Sequence, residues 1–396
     1  MTSLRLLFIF MVFTGFTVTA HASSGSDIIF DHQSSRYSLT KEQIYDGLKK
    51  VADYSYNETA VKEITKNITL FTEKYKERFA SYLRRSGKYT ELMRDILKKS
   101  DIPEQIVFLP LIESGFNPYA YSRARAVGYW QFISSTAQKY GLKINWWRDE
   151  RRDPVKSTEA AARYLRDLYD MFDSWILAMA AYNAGEGKIS RALKKTKTDD
   201  YWTLLKTKHI RNETKNYIPK FIAASLIADS PEDFGFEDIE YYPPLIYDTV
   251  TLTYPIDLEV AAQCAETSVD IIQELNPELR RWCTPPDVPE YTLRIPPDSR
   301  DIFLENLMNI PEEERLTMDS YRVKEGDTFT KIAKKTGFPM QVILDLNNME
   351  KVMLLQIGMK IYIPPRGKYI PDQGDKAPVR KASYQYKKKN RPKQKI

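Results

Sequence analysis

The chain has 396 residues with 59 Lys and Arg against 53 Asp and Glu, a formal charge of +6. That length suggests two or three domains, and a composition of 28% charged and 42% hydrophobic residues excludes wholesale disorder. Residues 366–396 hold 11 Lys/Arg and two Asp, a net of +9 that leaves −3 for everything before them, so a nucleic-acid-binding domain fits the body of the chain poorly.

The first 22 residues carry Arg5, an apolar stretch from Leu6 to about Val18, and then Ala20-His21-Ala22. A single positive charge, a short apolar core and a small-x-small end are the marks of a signal peptide, with an uncleaved anchor as the alternative. No Cys follows the cut site, so no lipid-bearing Cys is available. The mature protein is expected to be exported and soluble. Residues 23–100 offer two helix candidates, Val61 to Arg85 and Glu91 to Lys98, expected to pack on whatever follows.

From residue 101 to about 230 the pattern is helical throughout. Asp101-Ile102-Pro103-Glu104 reads as a helix start, with an Asp cap, Pro in the first turn and Glu three residues after the cap. Ile106, Val107, Phe108, Leu109, Leu111 and Ile112 make that helix apolar nearly all round, so it belongs in a core. At its end stands Glu113, followed by Ser114-Gly115. An apolar setting and the negative end of a helix dipole both penalise the carboxylate and raise its pKa. A carboxylic acid held neutral near pH 6 or 7 is what protonating a glycosidic oxygen requires; the structural alternative is an ion pair with Arg123 or Arg125. Next, Gly128-Tyr129-Trp130-Gln131-Phe132 sets one amide among aromatics, with Gly128 permitting close backbone approach to a partner such as a sugar ring. Asp153-Pro154 reads as a turn before a helix from Glu159 to Phe172 that Ser157-Thr158 opens. A helix from Trp175 to Tyr182 runs into a Gly-rich loop, Asn183-Ala184-Gly185-Glu186-Gly187, and Glu213 opens a last helix that ends near Ala228.

Glu113-Ser114, Gly128-Tyr129-Trp130-Gln131, Ala181-Tyr182-Asn183 and Tyr217, in this order and spacing, resemble the lysozyme-like domain of lytic murein transglycosylases. The likeness runs from Leu109 to Ala224, and Tyr129, where an aliphatic is usual, is a mild departure. The resemblance implies that Glu113 is the sole acid and base and that Ser114 orients it. Gln131 and Asn183 would hold the substrate's N-acetyl and hydroxyl groups, Tyr182 would join them, and Tyr217 would hydrogen-bond near Glu113. It also implies a reaction without water or cofactor: Glu113 protonates the oxygen joining N-acetylmuramic acid to N-acetylglucosamine, then activates the sugar's own 6-hydroxyl to close a 1,6-anhydro ring. No second carboxylate stands in these motifs. A retaining glycosidase with an enzymic nucleophile needs one about 5–5.5 Å from the acid. Asp149, Glu150 and Asp153 are the nearby candidates, and they read as helix caps or partners of Arg148, Arg151 and Arg152. A hydrolytic muramidase with one Glu, and a non-catalytic wall-binding scaffold, are the competing readings.

Further on, the chain repeats itself at an offset of 71 residues. Ile271-Ile272-Gln273-Glu274-Leu275-Asn276 falls on Val342-Ile343-Leu344-Asp345-Leu346-Asn347, Leu258 on Phe329 and Ala262 on Ala333. Each copy reads as strand, two short amphipathic helices, strand. Tyr321 to Thr328, with its Gly326-Asp327-Thr328 turn, Leu346-Asn347-Asn348 and Ile357 to Pro364 resemble a LysM domain, a family that binds N-acetylglucosamine-containing glycans. The first copy lacks that turn and resembles a diverged LysM unit. It holds instead the chain's two cysteines, Cys264 and Cys283, which in an oxidising compartment could close a loop of about 20 residues worth roughly 3 kcal/mol, or remain two buried thiols. Two Cys, with His at 21, 32 and 209, cannot assemble a zinc site.

The expected organisation is a signal peptide at 1–22, a helical region at 23–100 and a mainly α lysozyme-like domain at 101–230. Small α+β units with βααβ order follow, a diverged LysM-like one at 245–297 and a LysM domain at 318–365, and then a disordered basic tail at 366–396. Peptidoglycan strands are the expected partner, and the periplasm, beside the wall or membrane, the expected location. The tail reads either as a solubilising segment or as a tether to anionic lipid or wall polymer.

Overall fold

The computed structural model describes residues 58–368. The signal segment and nearly all of the basic tail therefore lie outside the described residues. Helix α1 (Glu58–Thr69) buries Ala60, Ile64, Asn67 and Ile68, and after a single π-turn (Leu70–Lys74) helix α2 (Lys76–Lys98) buries Phe79, Leu83, Ser86, Tyr89, Met93 and Leu97. Both stripes follow the spacing of three and four that sets one helix face against a core. Helix α2 runs unbroken through Ser86 and Gly87, where two separate helices were expected. A segment crosses it there, with the Tyr242 and Leu245 amides donating to the Arg84 and Lys88 carbonyls at 2.9 Å. A side chain at position 87 would meet the Tyr242 carbonyl at 2.7 Å, so this glycine serves a crossing rather than a break.

The stretch expected to be one helix from Asp101 is a 3-10 turn (Glu104–Phe108) followed by a short helix α3 (Leu109–Glu113). Pro110 is the cause: it has no N–H for the carbonyl four residues back, yet its fixed φ suits the first turn of a new helix. Asp101 lies at φ 53 and does not cap. Helix α4 (Ser134–Lys139) is followed by α5 (Pro154–Phe172), which begins five residues earlier than Ser157-Thr158 suggested. Asp153 is the N-cap, accepting from the Val155 and Lys156 amides, with Pro154 behind it in the first turn, while Ser157 and Thr158 are buried inside. Helices α6 (Trp175–Ala184) and α7 (Glu186–Thr196) meet at Gly185 alone. Its φ of 89 reverses the chain in one residue, so the expected Gly-rich loop shrinks to a hinge and Asn183 lies in the last turn of α6. After α8 (Tyr201–Leu205) comes α9 (Asn212–Asp229), which packs on α1, α3 and α6. One apolar cluster, from Ala60 to Phe236, unites all of these helices.

Two βααβ units follow, as the repeat indicated, so the fold is mainly α with small strand pairs towards the C-terminus. In the first, β1 (Asp248–Leu252) pairs antiparallel with β2 (Tyr291–Ile295) around α10 (Leu258–Cys264) and α11 (Val269–Leu275). A further helix, α12 (Arg300–Met308), adds Phe303 and Leu307 to that unit's core, an element the repeat gave no sign of. In the second, β3 (Asp319–Arg322) pairs with β4 (Lys360–Ile363) around α13 (Phe329–Thr336) and α14 (Met340–Leu346). Thr328 caps α13 through its hydroxyl. Asp327 accepts from Tyr321, the Lys324 amide and Lys335, bonds that hold its pKa down to about 2.

The disulfide is not formed. Cys264 and Cys283 are both free and buried, Cys264 in the core of the first unit and Cys283 in a different cluster with Trp147, Trp282, Val342 and Leu346. That second cluster joins the helical body to both units. Trp147 also donates its indole N–H to Asp345 at 2.7 Å, and burying a side chain of this size stabilises by roughly 2–3 kcal/mol. Among the described residues no helix is long and apolar enough to cross a membrane.

Candidate active site

Helix α3 delivers Glu113 at its last residue, and the Ser114 and Gly115 amides then close onto the Pro110 carbonyl at 3.0 and 2.8 Å. Pro110 therefore both starts this helix and accepts the bonds that stop it, fixing the carboxyl within one turn of a buried anchor. Helix α9 faces it. Glu213, Tyr217 and Lys220 are spaced four and three residues apart, which puts them on one face of α9. The Tyr217 hydroxyl donates to Glu113 Oε1, and the Lys220 ammonium donates to the Ile112 carbonyl at 3.2 Å. Arg123 and Arg125 are exposed, and the cation that acts on Glu113 is Lys220.

Burial pushes the Glu113 carboxyl up to about 7 against the pull of the Tyr217 hydrogen bond and the Lys220 charge, with Glu213 adding a smaller push. Burial, rather than the helix dipole expected to share the work, leads. The residue nonetheless keeps some exposure. Burial also lowers Lys220 and raises Tyr217 well above its ordinary value, so near neutral pH the tyrosine is a donor and the carboxyl can hold its proton.

The turn Gly128–Gln131 is held from three sides. Gly128 sits at φ 82, and a Cβ there would lie 1.9 Å from the Arg151 carbonyl, so the close approach this glycine allows is to the protein's own backbone. Gln131, at φ 50, donates from Nε2 to the Gly128 and Ala120 carbonyls at 2.9 and 3.2 Å. Ser114 Oγ donates to the Tyr129 carbonyl at 2.8 Å, tying the end of α3 to this turn. The Tyr182 hydroxyl donates to the Trp130 carbonyl at 2.7 Å, and Asn183 Oδ1 accepts from Thr214 Oγ1 at 3.2 Å. Glu113 and Tyr217 thus touch directly, Ser114 reaches the Gly128–Gln131 turn, Tyr182 braces that turn, and Asn183 is linked to α9. Lys220 and Glu213 were not singled out as site residues. Their spacing from Tyr217 on one helix was the signal that could have found them.

Asp149, Glu150 and Asp153 are engaged elsewhere. Asp149 pairs with Arg151 at 2.7 Å, Glu150 with Lys156 at 2.7 Å and Asp153 with Arg294 at 2.7 Å. All three are buried.

Comparison with known proteins agrees in kind. Residues 92–205 match the transglycosylase SLT domain, residues 246–312 the LysM-like domain of the lytic transglycosylase MltD, and residues 321–364 the LysM domain. The membrane-bound lytic murein transglycosylase D of Escherichia coli is 31% identical over 280 residues, covering 67% of this chain and 61% of that protein. The chain thus spans about three fifths of that relative's length. A putative tributyltin chloride resistance protein of Alteromonas is 31% identical over 175 residues, 38% of this chain and 84% of its own. The membrane-bound lytic murein transglycosylase C of Pectobacterium atrosepticum is 27% identical over 166 residues, 36% of this chain and 46% of its own. Among solved structures, the 70 kDa soluble lytic transglycosylase of Escherichia coli and an inactive variant of Slt from Pseudomonas aeruginosa each align with a TM-score of 0.31 at 22% identity. Each covers 38% of this chain, and 26% and 24% of their own chains respectively.

Proposed function

Because the chain belongs to the SLT-domain family of lytic transglycosylases with MltD-type LysM units, we propose that it is an exported lytic transglycosylase cleaving peptidoglycan between N-acetylmuramic acid and N-acetylglucosamine without water. The observation that carries this reading is Glu113, a partly buried carboxyl raised to about 7 and held by Tyr217. Near neutral pH it carries the proton that the leaving oxygen needs. As the bond from the muramic C1 to that oxygen breaks, Glu113 gives up its proton. The resulting carboxylate takes the proton of the 6-hydroxyl as O6 bonds to C1, so the acid is regenerated and the product ends in a 1,6-anhydro ring. The substrate's acetamido group stabilises the intermediate, so the reaction needs no second carboxylate, and Asp149, Glu150 and Asp153 are committed to Arg151, Lys156 and Arg294.

In this reading Gln131, Tyr182 and Asn183 hold the sugar, and Ser114 positions Glu113 through the backbone by anchoring α3 to the Tyr129 carbonyl. The catalytic domain spans 101–230 with helices α1 and α2 packed on it. The LysM domain at 318–365 binds N-acetylglucosamine-containing glycan, keeping the enzyme at the wall in the periplasm, and the unit at 245–297 is its diverged copy. The basic tail adds weak contact with anionic lipid or wall polymer. The products test the reaction: purified peptidoglycan treated with the full protein gives fragments one water lighter than reducing-end fragments. Reducing ends alone would mean a hydrolytic muramidase, and no fragments at all would mean a wall-binding scaffold.

A further inference from the structure

The segment 148–153 is clamped between the Gly128–Gln131 turn and the first βααβ unit. On one side, the Arg151 carbonyl fills the space beside Gly128, and the Arg151 guanidinium donates to the Phe132 and Arg125 carbonyls at 3.1 and 3.2 Å. On the other, the Asp149 amide donates to the Glu278 carbonyl at 2.8 Å and Arg148 pairs with Asp287 at 2.6 Å. At the centre stands Arg294 of β2, 8% exposed, which donates from Nη2 to Asp153 Oδ2 at 2.7 Å and from Nη1 to Glu278 Oε1 at 3.4 Å.

Asp153 passes this contact on. Its Oδ1 caps α5 at the Val155 and Lys156 amides, at 2.8 and 2.9 Å. One turn in, the Thr158 hydroxyl donates to the Pro154 carbonyl at 2.6 Å and accepts from the Trp130 indole at 2.9 Å. Trp130 precedes Gln131, and its carbonyl is the acceptor for Tyr182. Each non-covalent link is a hydrogen bond between buried or partly buried groups, and fixes an orientation as well as a distance. A buried ion pair contributes little net stability over apolar residues of similar volume, but it holds a geometry that apolar packing leaves looser.

We propose that Arg294 is a positioning residue for glycan cleavage, acting through Asp153 on the turn that carries Gln131, and that the first LysM-like unit is part of the active-site frame. The inference rests on the functional reading above. The unit's task is then to hold residues 149–153 against Gly128, which accounts for a repeat copy that lacks the Gly-Asp-Thr turn of its partner yet keeps a buried arginine facing the helical body.

The test uses the full-length protein on soluble, uncrosslinked glycan strands, below the melting temperature of each variant. Arg294→Met lowers kcat/KM by about tenfold or more, since small misplacements of positioning groups carry effects of that size. Wall retention stays unchanged, and the alkaline half-point stays near pH 7, because Tyr217 and Lys220 come from α9 and make no contact with Arg294. Arg294→Lys, which keeps the charge but not the planar fork, falls between. In an Asp153→Asn background, where the cap remains and the buried charge is gone, Arg294→Met changes kcat/KM by less than about threefold. If Arg294→Met melts lower but keeps kcat/KM within about twofold, the unit is only a brace and the inference fails. An equal loss in the Asp153→Asn background, or a shifted alkaline half-point, overturns it too. Should the Met variant not fold, the Lys variant bears the same comparison. A wild-type protein that releases no product would instead refute the functional reading.

Discussion

In the proposed reaction Glu113 has to be protonated at the start and ionised at the finish, and its surroundings set where that balance falls. With the carboxyl at about 7, activity declines as pH rises through that value. Tyr217→Phe removes the hydrogen bond that lowers this pKa, so the alkaline limb moves to higher pH while the maximal rate falls; pH profiles of kcat/KM read both. The same raised pKa is a cost to the fold. Below the unfolded carboxyl value, 4.5, both states carry the proton and nothing is lost; between 4.5 and 7 folding must take one up, and above 7 the penalty is complete. Glu113→Gln is therefore expected to abolish turnover by about a thousandfold or more while gaining on the order of 2–3 kcal/mol of stability at pH 8, a gain that vanishes near pH 4. Melting curves at the two pH values check it, and an equal or lower midpoint at pH 8 would contradict the raised pKa.

The elements around this residue were legible where side-chain periodicity decides them and illegible where backbone chemistry does. Although α2 read as two pieces, the helices α5 and α9 and the βααβ repeat could be read from pattern. The break before Leu109 could not, because six apolar residues outweighed the one missing N–H of Pro110. Nor could the start of α5, where Ser157-Thr158 looked like a cap but Asp153-Pro154 acts as one. Glycines divide in the same way. Gly128 faces the Arg151 carbonyl and sits at positive φ, whereas Gly185, also at positive φ, has no atom within 4 Å of a built Cβ. Gly128→Ala should thus cost at least about 3 kcal/mol and displace the turn. Gly185→Ala, at a φ of 89 and ψ of 133 that glycine alone adopts readily, should cost about 1–3 kcal/mol of backbone strain and leave the turn in place. Denaturant midpoints of the two variants measure the contrast, and equal losses would mean that the Arg151 carbonyl yields readily.

On the scale of the whole molecule, Asp149, Glu150 and Asp153 read as helix caps or partners of the neighbouring arginines, and so they are, but the segment also reaches far outside itself. Asp149 takes Arg151, Glu150 lies 3.6 Å from Arg148 and Asp153 caps α5, while Arg148 also finds Asp287 and Asp153 also finds Arg294, partners well over a hundred residues away. Local sequence hides such pairing because opposite charges already stand side by side. The Trp147 cluster is likewise long-range, drawing Val342 and Leu346 from the second unit onto the helical body. Ending the chain after residue 317 should then uncover Trp147 and Trp282, lower the melting temperature, and weaken retention on insoluble peptidoglycan by at least about tenfold. Turnover of soluble strands should stay within about threefold, because no side chain of that unit bonds to the α3–α9 face; a collapse of turnover would contradict that separation. The overall +6, meanwhile, describes no part of this frame: it is the sum of a tail at +9 and a mildly acidic body.

Digestion of purified peptidoglycan in water labelled at oxygen tests the proposed chemistry most directly. If O6 of the muramic residue closes onto C1, the new ends are 1,6-anhydro rings and carry no label. Labelled reducing ends would show that water, not the sugar's own hydroxyl, reaches the carbon that Glu113 frees.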